Sequence, residues 1–290
     1  MAFVALSIIW GFPYLLIKLA VGEVPPLMVA WARVTLAAGI LLPLASMRGA
    51  PLFARGHFGA LVAFALAEFV IPFAAISIGE QWISSSMAGI LIATVPMWVV
   101  LLSRSFGVHE RLGARRLAGL ALGFAGVVTL LGFGGISGAK GWVGVGCLLV
   151  SALGYGVGPL IIQRHMKHLD AIGPLSASLA IASACLLVPA LLEAPRHWPS
   201  ATAIAAIASL GVVCTAVAMM LMFYLVNHAG ASRASLITYL NPAVASLLGV
   251  TLLDERLGPM GVTAFGLILL GSWLATHRAQ SKLVELAAER

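Results

Sequence analysis

The sequence predicts an all-α membrane protein: ten transmembrane helices arranged as two inverted five-helix repeats. Three observations carry this. First, 61% of the 290 residues are hydrophobic and 9% are charged, with a mean hydropathy of +1.06. Soluble domains carry roughly 25% charged residues, so the bilayer must be the solvent for this much apolar surface. Second, the apolar residues fall into stretches of the ~20 residues that a spanning helix needs. Third, the chain repeats itself. Pro13, Pro43 and Pro96 recur as Pro159, Pro189 and Pro242, each 146 residues on, and Lys18 recurs as Arg164. After a one-residue slip, His109-Glu110-Arg111-Leu112-Gly113 returns as Asp254-Glu255-Arg256-Leu257-Gly258, and Gly126 falls on Gly271.

The spans run approximately over 2–22, 26–47, 57–79, 82–103, 114–133, 141–163, 171–192, 201–226, 231–253 and 259–277. The first lacks a basic leader and is followed by many more, so it reads as a helix and not as a cleaved signal peptide. Turn-forming clusters separate the spans: Gly22 to Pro26, Arg48 to Pro51, Gly134 to Gly138, and Glu193 to Pro195. Residues 1–133 form the first repeat, 141–277 the second, and 278–290 a polar tail. Five spans per copy is an odd number, so the second copy must enter the membrane from the opposite side.

Loop charge sets the orientation. With both termini in the cytoplasm, twelve Lys and Arg residues lie on the inner side and three, Lys140, Arg196 and Arg256, on the outer side. This is a positive-inside bias, and it accounts for the net charge of +7 without nucleic acid as a partner. Trp82, Trp142 and Trp198 fall near the outer interface. Cys147, Cys185 and Cys214 lie inside apolar stretches and read as packing residues.

Trp10-Gly11 followed by Lys18, a Pro followed by Arg33, and a Pro-centred helix leading to Glu-Arg-Leu and a Gly-rich helix form a recognisable set. Together they resemble the drug/metabolite transporter superfamily, in its ten-helix EamA branch, over essentially the whole chain. The resemblance implies two inverted bundles around a central cavity, lined mainly by spans 1, 3, 4, 6, 8 and 9. It implies export of small metabolites, often amino acids, across the inner membrane. The second Trp-Gly is replaced by Tyr155-Gly156. The first-span Glu of the small four-helix multidrug members is absent, with Trp10 and Pro13 on that span instead.

Glu68 is the acidic residue placed in the middle of a span. A carboxylate there costs about 2.5–3.5 kcal/mol or more on insertion scales. It is a candidate coupling group for a proton or cation, or a packing residue ion-paired to Lys18 or Arg33. Arg33 lies deeper than Lys18, and its repeat mate is Leu179. It is a candidate for a substrate carboxylate, as are the polar and aromatic residues Trp10, Tyr155, Tyr239 and Asn241 for other parts of the solute. Pro13, Pro96, Pro159 and Pro242 are candidate hinges, because a mid-span Pro frees a carbonyl and kinks the helix. The serines 84–86 and 232 read as helix caps or cavity mouths. Glu110-Arg111 and Glu255-Arg256 read as solvated caps or as gating ion pairs at opposite faces. Gly119, Gly123, Gly126, Gly266 and Gly271 permit close helix packing, within a monomer or a homodimer.

His165 and His168 have no third ligand nearby, and no metal site, cofactor motif, Walker A sequence or catalytic constellation is present in the sequence. The expected function is therefore secondary transport by alternating access, not enzymatic. A cationic, amphipathic drug as cargo, and the handling of lipid headgroups, remain alternatives.

Overall fold

The computed structural model describes residues 2–52, 56–107, 113–133, 136, 138–166, 169–193, 195, 197–229, 237, 241–255 and 258–276. Tyr239, Glu110 and the expected tail lie outside these. The described residues contain helices and no strand. Among the described residues, seven helical segments are long and apolar enough to cross a membrane: Val4–Val21, Pro26–Met47, Phe58–Gly79, Ser85–Phe106, Gly138–Met166, Ile172–Leu192 and Ala201–Leu225. Three shorter apolar helices, Leu117–Leu130, Ala243–Leu252 and Pro259–Gly271, lie where the fifth, ninth and tenth spans were expected.

Proline punctuates the first span. α1 (Ala2–Ile9) ends at a turn, and α2 (Pro13–Val21) starts on Pro13. Pro13 has no N–H for the Ile9 carbonyl four residues back. The Cys214 thiol turns to that carbonyl instead, at 3.5 Å. α3 (Pro26–Met47) also starts on proline, which suits a first helical turn. The third span is α4 (Phe58–Phe64), a π-helical turn over Ala65–Val70, and α5 (Ile71–Gly79). The fourth is split at Ala93-Thr94 into α6 (Ser85–Ile92) and α7 (Val95–Ser103), with Pro96 in the first turn of α7. The Ser84 side chain caps α6 by accepting from the Met87 N–H at 3.1 Å.

α8 (Ala114–Phe133) follows, then α9 (Gly138–Ile161), which continues through Pro159 and ends in a π-helical turn over Ile162–Met166. Next are α10 (Ile172–Leu192), α11 (Ala201–Gly211), a π-helical turn over Val212–Val217, and α12 (Ala218–Ala229). α13 (Asn241–Leu252) has Pro242 in its first turn, and α14 (Pro259–Thr276) closes the described chain.

Helices in corresponding places of the two halves pack on one another: α3 on α10, α8 on α14, and α6 on α13. α2 packs on α11, and the corresponding pair α5 and α9 also meet. Glycine sets the closest of these approaches. A Cβ at Gly126 would meet Ile268 Cγ1 at 2.7 Å, and one at Gly271 would meet the Gly119 carbonyl oxygen at 2.6 Å.

Among the described residues two large apolar cores result, beside two smaller clusters. One large core gathers Ile17, Ile90, Leu91, Leu148 and Leu210. The other gathers Phe64, Phe69, Phe73, Leu175 and Phe223. Edge-to-face contacts join Phe64 to Phe69 at 5.5 Å and to Phe223 at 6.4 Å between ring centroids, a favoured geometry for aromatic quadrupoles. Tyr155 packs against both cores and so marks the seam between them.

Candidate functional site

Part of the buried polar chemistry of the described residues lies along this seam. Arg33, on α3, is only 4% exposed. Its Nε donates to Thr215 Oγ1 at 2.7 Å, and one terminal nitrogen reaches the Cys214 carbonyl at 3.4 Å. Its guanidinium carbon sits 3.7 Å from the centroid of the Phe73 ring. A desolvated cation over an aromatic face gains about 2 kcal/mol. Among the described residues, no carboxylate is bonded to Arg33.

Thr215 is available to Arg33 because of the π-helical turn at Val212–Val217. Its hydroxyl donates five residues back, to the Leu210 carbonyl at 2.7 Å, leaving the oxygen lone pairs for Arg33. The corresponding π-helical turn, Ala65–Val70, carries Glu68. Such turns are rare and concentrate at functional sites. Glu68 is 9% exposed, and its Oε2 has no hydrogen-bond partner. That oxygen lies against the backbone of Gly158, where a Cβ would overlap it. Tyr155 is within electrostatic reach of both Arg33 and Glu68. The Trp98 indole N–H is buried without a partner on the same seam, its side chain against Gly156.

Tyr155 thus lies between Arg33 and Glu68 in electrostatic reach, and the alternative reading of Glu68 as an ion pair with Lys18 or Arg33 is not realised among the described residues. Trp10 is half-buried in the turn between α1 and α2. Asn241 is buried and, with its amide turned to satisfy its neighbours, donates to the carbonyls of Ile237 and Ser7 at 3.0 Å each. This ties the start of α13 to α1. Lys18 does not snorkel outward: its ammonium donates to the carbonyls of Glu80 and Ile83 at 2.6 and 2.8 Å.

Glu80 escaped the sequence reading, and Glu255, read there as a solvated cap or a gating ion pair, has partners that the reading did not name. Glu80 is 0% exposed, and neither of its oxygens has a hydrogen-bond partner. It falls just past a hydropathy boundary, so burial was invisible there. Glu255 caps no helix of its own. It accepts from Ser85 and Ser86, 170 residues away in sequence. Burial raises its pKa and the Ser86 and Ser85 donors lower it; the donors prevail, and it sits below the usual carboxylate value of 4.5. The only sequence signal for that contact was the recurrence of Glu-Arg-Leu-Gly beside recurring serines. On the side of α2, an open groove of about 460 Å³ runs against α11, lined by Leu16, Leu19, Ala201, Thr202, Ala205 and Ser209.

Apolar helices of spanning length around a buried cation and unpaired carboxylates define a membrane protein of the transporter class. A family model described as the EamA-like transporter family matches residues 1–132 and again residues 142–276, and the chain belongs to that family. Among its relatives is YedA of Escherichia coli (strain K12), named an uncharacterized inner membrane transporter. It is 31% identical over 95% of this chain and 89% of its own. A protein of the same organism named "Probable amino-acid metabolite efflux pump" is 25% identical over 92% of this chain and 91% of its own. A solved crystal structure at 19% identity superposes with a TM-score of 0.71 and covers 97% of both chains, which is a likeness of fold.

Proposed function

We propose that this protein exports small organic metabolites bearing a carboxylate, amino acids or related compounds, across the inner membrane by alternating access. The single observation that carries the reading is Arg33: a buried guanidinium, oriented by Thr215 and Phe73, with no carboxylate bonded to it among the described residues. A buried charge without a counter-charge is costly, and an anionic group of a solute would complete it. The amino-acid efflux name of one relative supports the substrate class. In this reading Tyr155 and Trp10 pack on the rest of the solute, and Tyr239 and Asn241 offer it a hydroxyl and an amide beside the Pro242 kink.

The architecture we propose is ten helices in two inverted repeats, 1–133 and 141–277, with 278–290 as a cytoplasmic tail and both termini inside. The repeated prolines, the paired packing of corresponding helices and the two matches of one family model support it. The halves rock around the seam, with bends at Pro13, Pro96, Pro159 and Pro242, of which Pro159 contributes least because its helix continues through it. Glu68 is the coupling group, and a proton is its candidate ion. Uptake into proteoliposomes from a mixed metabolite pool, read by mass spectrometry with and without a pH gradient, tests this. Carboxylate-bearing solutes should accumulate with wild-type protein and not with Arg33→Gln. Glu68→Gln should still carry solute but lose the response to the gradient. Transport indifferent to both changes would refute the site.

The open, largely apolar groove beside α2 favours a second reading, in which a lipid chain enters from the side. Scrambling of labelled lipid by the same proteoliposomes, blocked by a bulky Ala205→Trp, would favour that reading over the first.

A further inference from the structure

At the end of the bundle that carries the connection from α13 to α14, the two halves of the chain are joined by one carboxylate. Ser85 presents its N–H and hydroxyl to Glu255 Oε1 at 2.7 and 2.9 Å. Ser86 presents the same groups to Oε2 at 2.9 and 2.5 Å. Both oxygens are thus held at the start of α6, where free N–H groups and the helix dipole favour an anion. Ser84, already used as the cap, is not part of the clasp.

The connection is shaped to deliver Glu255. Asp254 takes a left-handed conformation at φ 53°, and the Glu255 N–H folds back to the Gly249 carbonyl at 3.1 Å. Gly249 lies directly under the clasp. A Cβ there would overlap Glu255 Oε2 and come within 2.5 Å of Ser86 Oγ. The same end of α6 is held from α2 by Lys18, through the carbonyls of Glu80 and Ile83. α6 is also a separable unit, since the break at Ala93-Thr94 disconnects it from α7.

We propose that Glu255 is a gate latch: clasped by Ser85 and Ser86 it holds the halves together at this end of the pathway, and its release lets α6 swing and opens the Arg33 seam to that face. The proposal rests on the transport reading for its purpose but not on the identity of the solute.

Cys214 is a native reporter, because its carbonyl touches Arg33 and it is 3% exposed. In a Cys147→Ala/Cys185→Ala background, a membrane-impermeant thiosulfonate is applied from each face of sealed vesicles. A separate cysteine at Gly258 identifies which face carries the connection. Glu255→Gln removes the charge and one acceptor; Gly249→Ala wedges the clasp while leaving Glu255 in place. Both should raise Cys214 labelling from the Gly258 face by about tenfold or more without raising it from the other face. A rise from both faces in equal measure would mean a loosened fold and would overturn the latch, as would unchanged labelling in both variants. The outcome is independent of which face proves to be outside, and of whether any tested solute is carried, so a failure of the orientation or of the substrate class is read separately.

Discussion

The first and sixth spans carry the same proline, 146 residues apart, and treat it differently. At Pro13 the chain breaks into α1 and α2, and Cys214 takes up the freed carbonyl. At Pro159 the helix continues and only widens in the π-helical turn that follows. The same contrast runs through the two halves. Lys18 is bonded to two carbonyls, and its mate Arg164 is exposed. Arg33 sits where its mate is Leu179, buried and apolar. Glu68 sits where its mate is Cys214. Residues that the halves share, the prolines and the glycines of α8 and α14, build the scaffold. The buried charge lies where the halves have diverged.

The comparison is broken most severely by making a diverged position symmetric. Arg33→Leu, which installs the residue of its mate, should leave the protein folded in the membrane, because it replaces a buried cation with an apolar side chain. Transport of carboxylate solutes should fall by about 30-fold or more, the equivalent of about 2 kcal/mol of charged contact. Initial rates in proteoliposomes, normalised to folded protein, measure it.

A shared position should behave in the opposite way. Gly271→Ala sets a Cβ against the backbone of Gly119 and Gly123, and Gly126→Ala sets one against Ile268. Each should lower stability by about 1–3 kcal/mol through overpacking. Thermal unfolding in detergent should reveal it, with the transport rate per folded molecule intact.

The prolines sharpen the contrast further. Pro13→Ala restores a donor for the Ile9 carbonyl and favours a continuous first helix. It should slow turnover several-fold, whereas Pro159→Ala, in a helix that already continues, should change it by less than about twofold. Steady-state turnover of the two variants side by side decides this.

The smallest effect is expected at the surface. Glu23 accepts from the Ser200 N–H and hydroxyl, both at 2.7 Å, and those bonds hold its pKa below 4.5. A carboxyl lowered on folding contributes stability above its unfolded pKa and loses it as the pH falls through the folded value. The melting temperatures of wild type and Glu23→Gln should therefore differ slightly at neutral pH and converge below the usual carboxylate range.

Much of this was legible in the sequence, and the reason is local. Hydropathy depends on neighbours in the chain, so the seven long spans and three shorter helices fall where apolar runs were found. Arg33 and Glu68 stood out because a charge in an apolar run is conspicuous wherever it points. What stayed hidden is non-local. Thr215 lies 182 residues from Arg33 and looks like any small polar residue in a helix. The π-helical turns at 65–70 and 212–217 have no spacing signature, although their near-correspondence between halves reveals them once seen. Glu255 read as a solvated cap or a gating ion pair with Arg256, because its serine partners belong to another helix.

The measurement that tests the central claim most directly is the transport of an amino-acid pool by Arg33→Leu beside Gly271→Ala, each scored for melting temperature and for rate per folded molecule. The account predicts that Arg33→Leu keeps its melting temperature and loses transport, while Gly271→Ala melts lower and transports normally. Equal loss of stability and rate in both variants would contradict it.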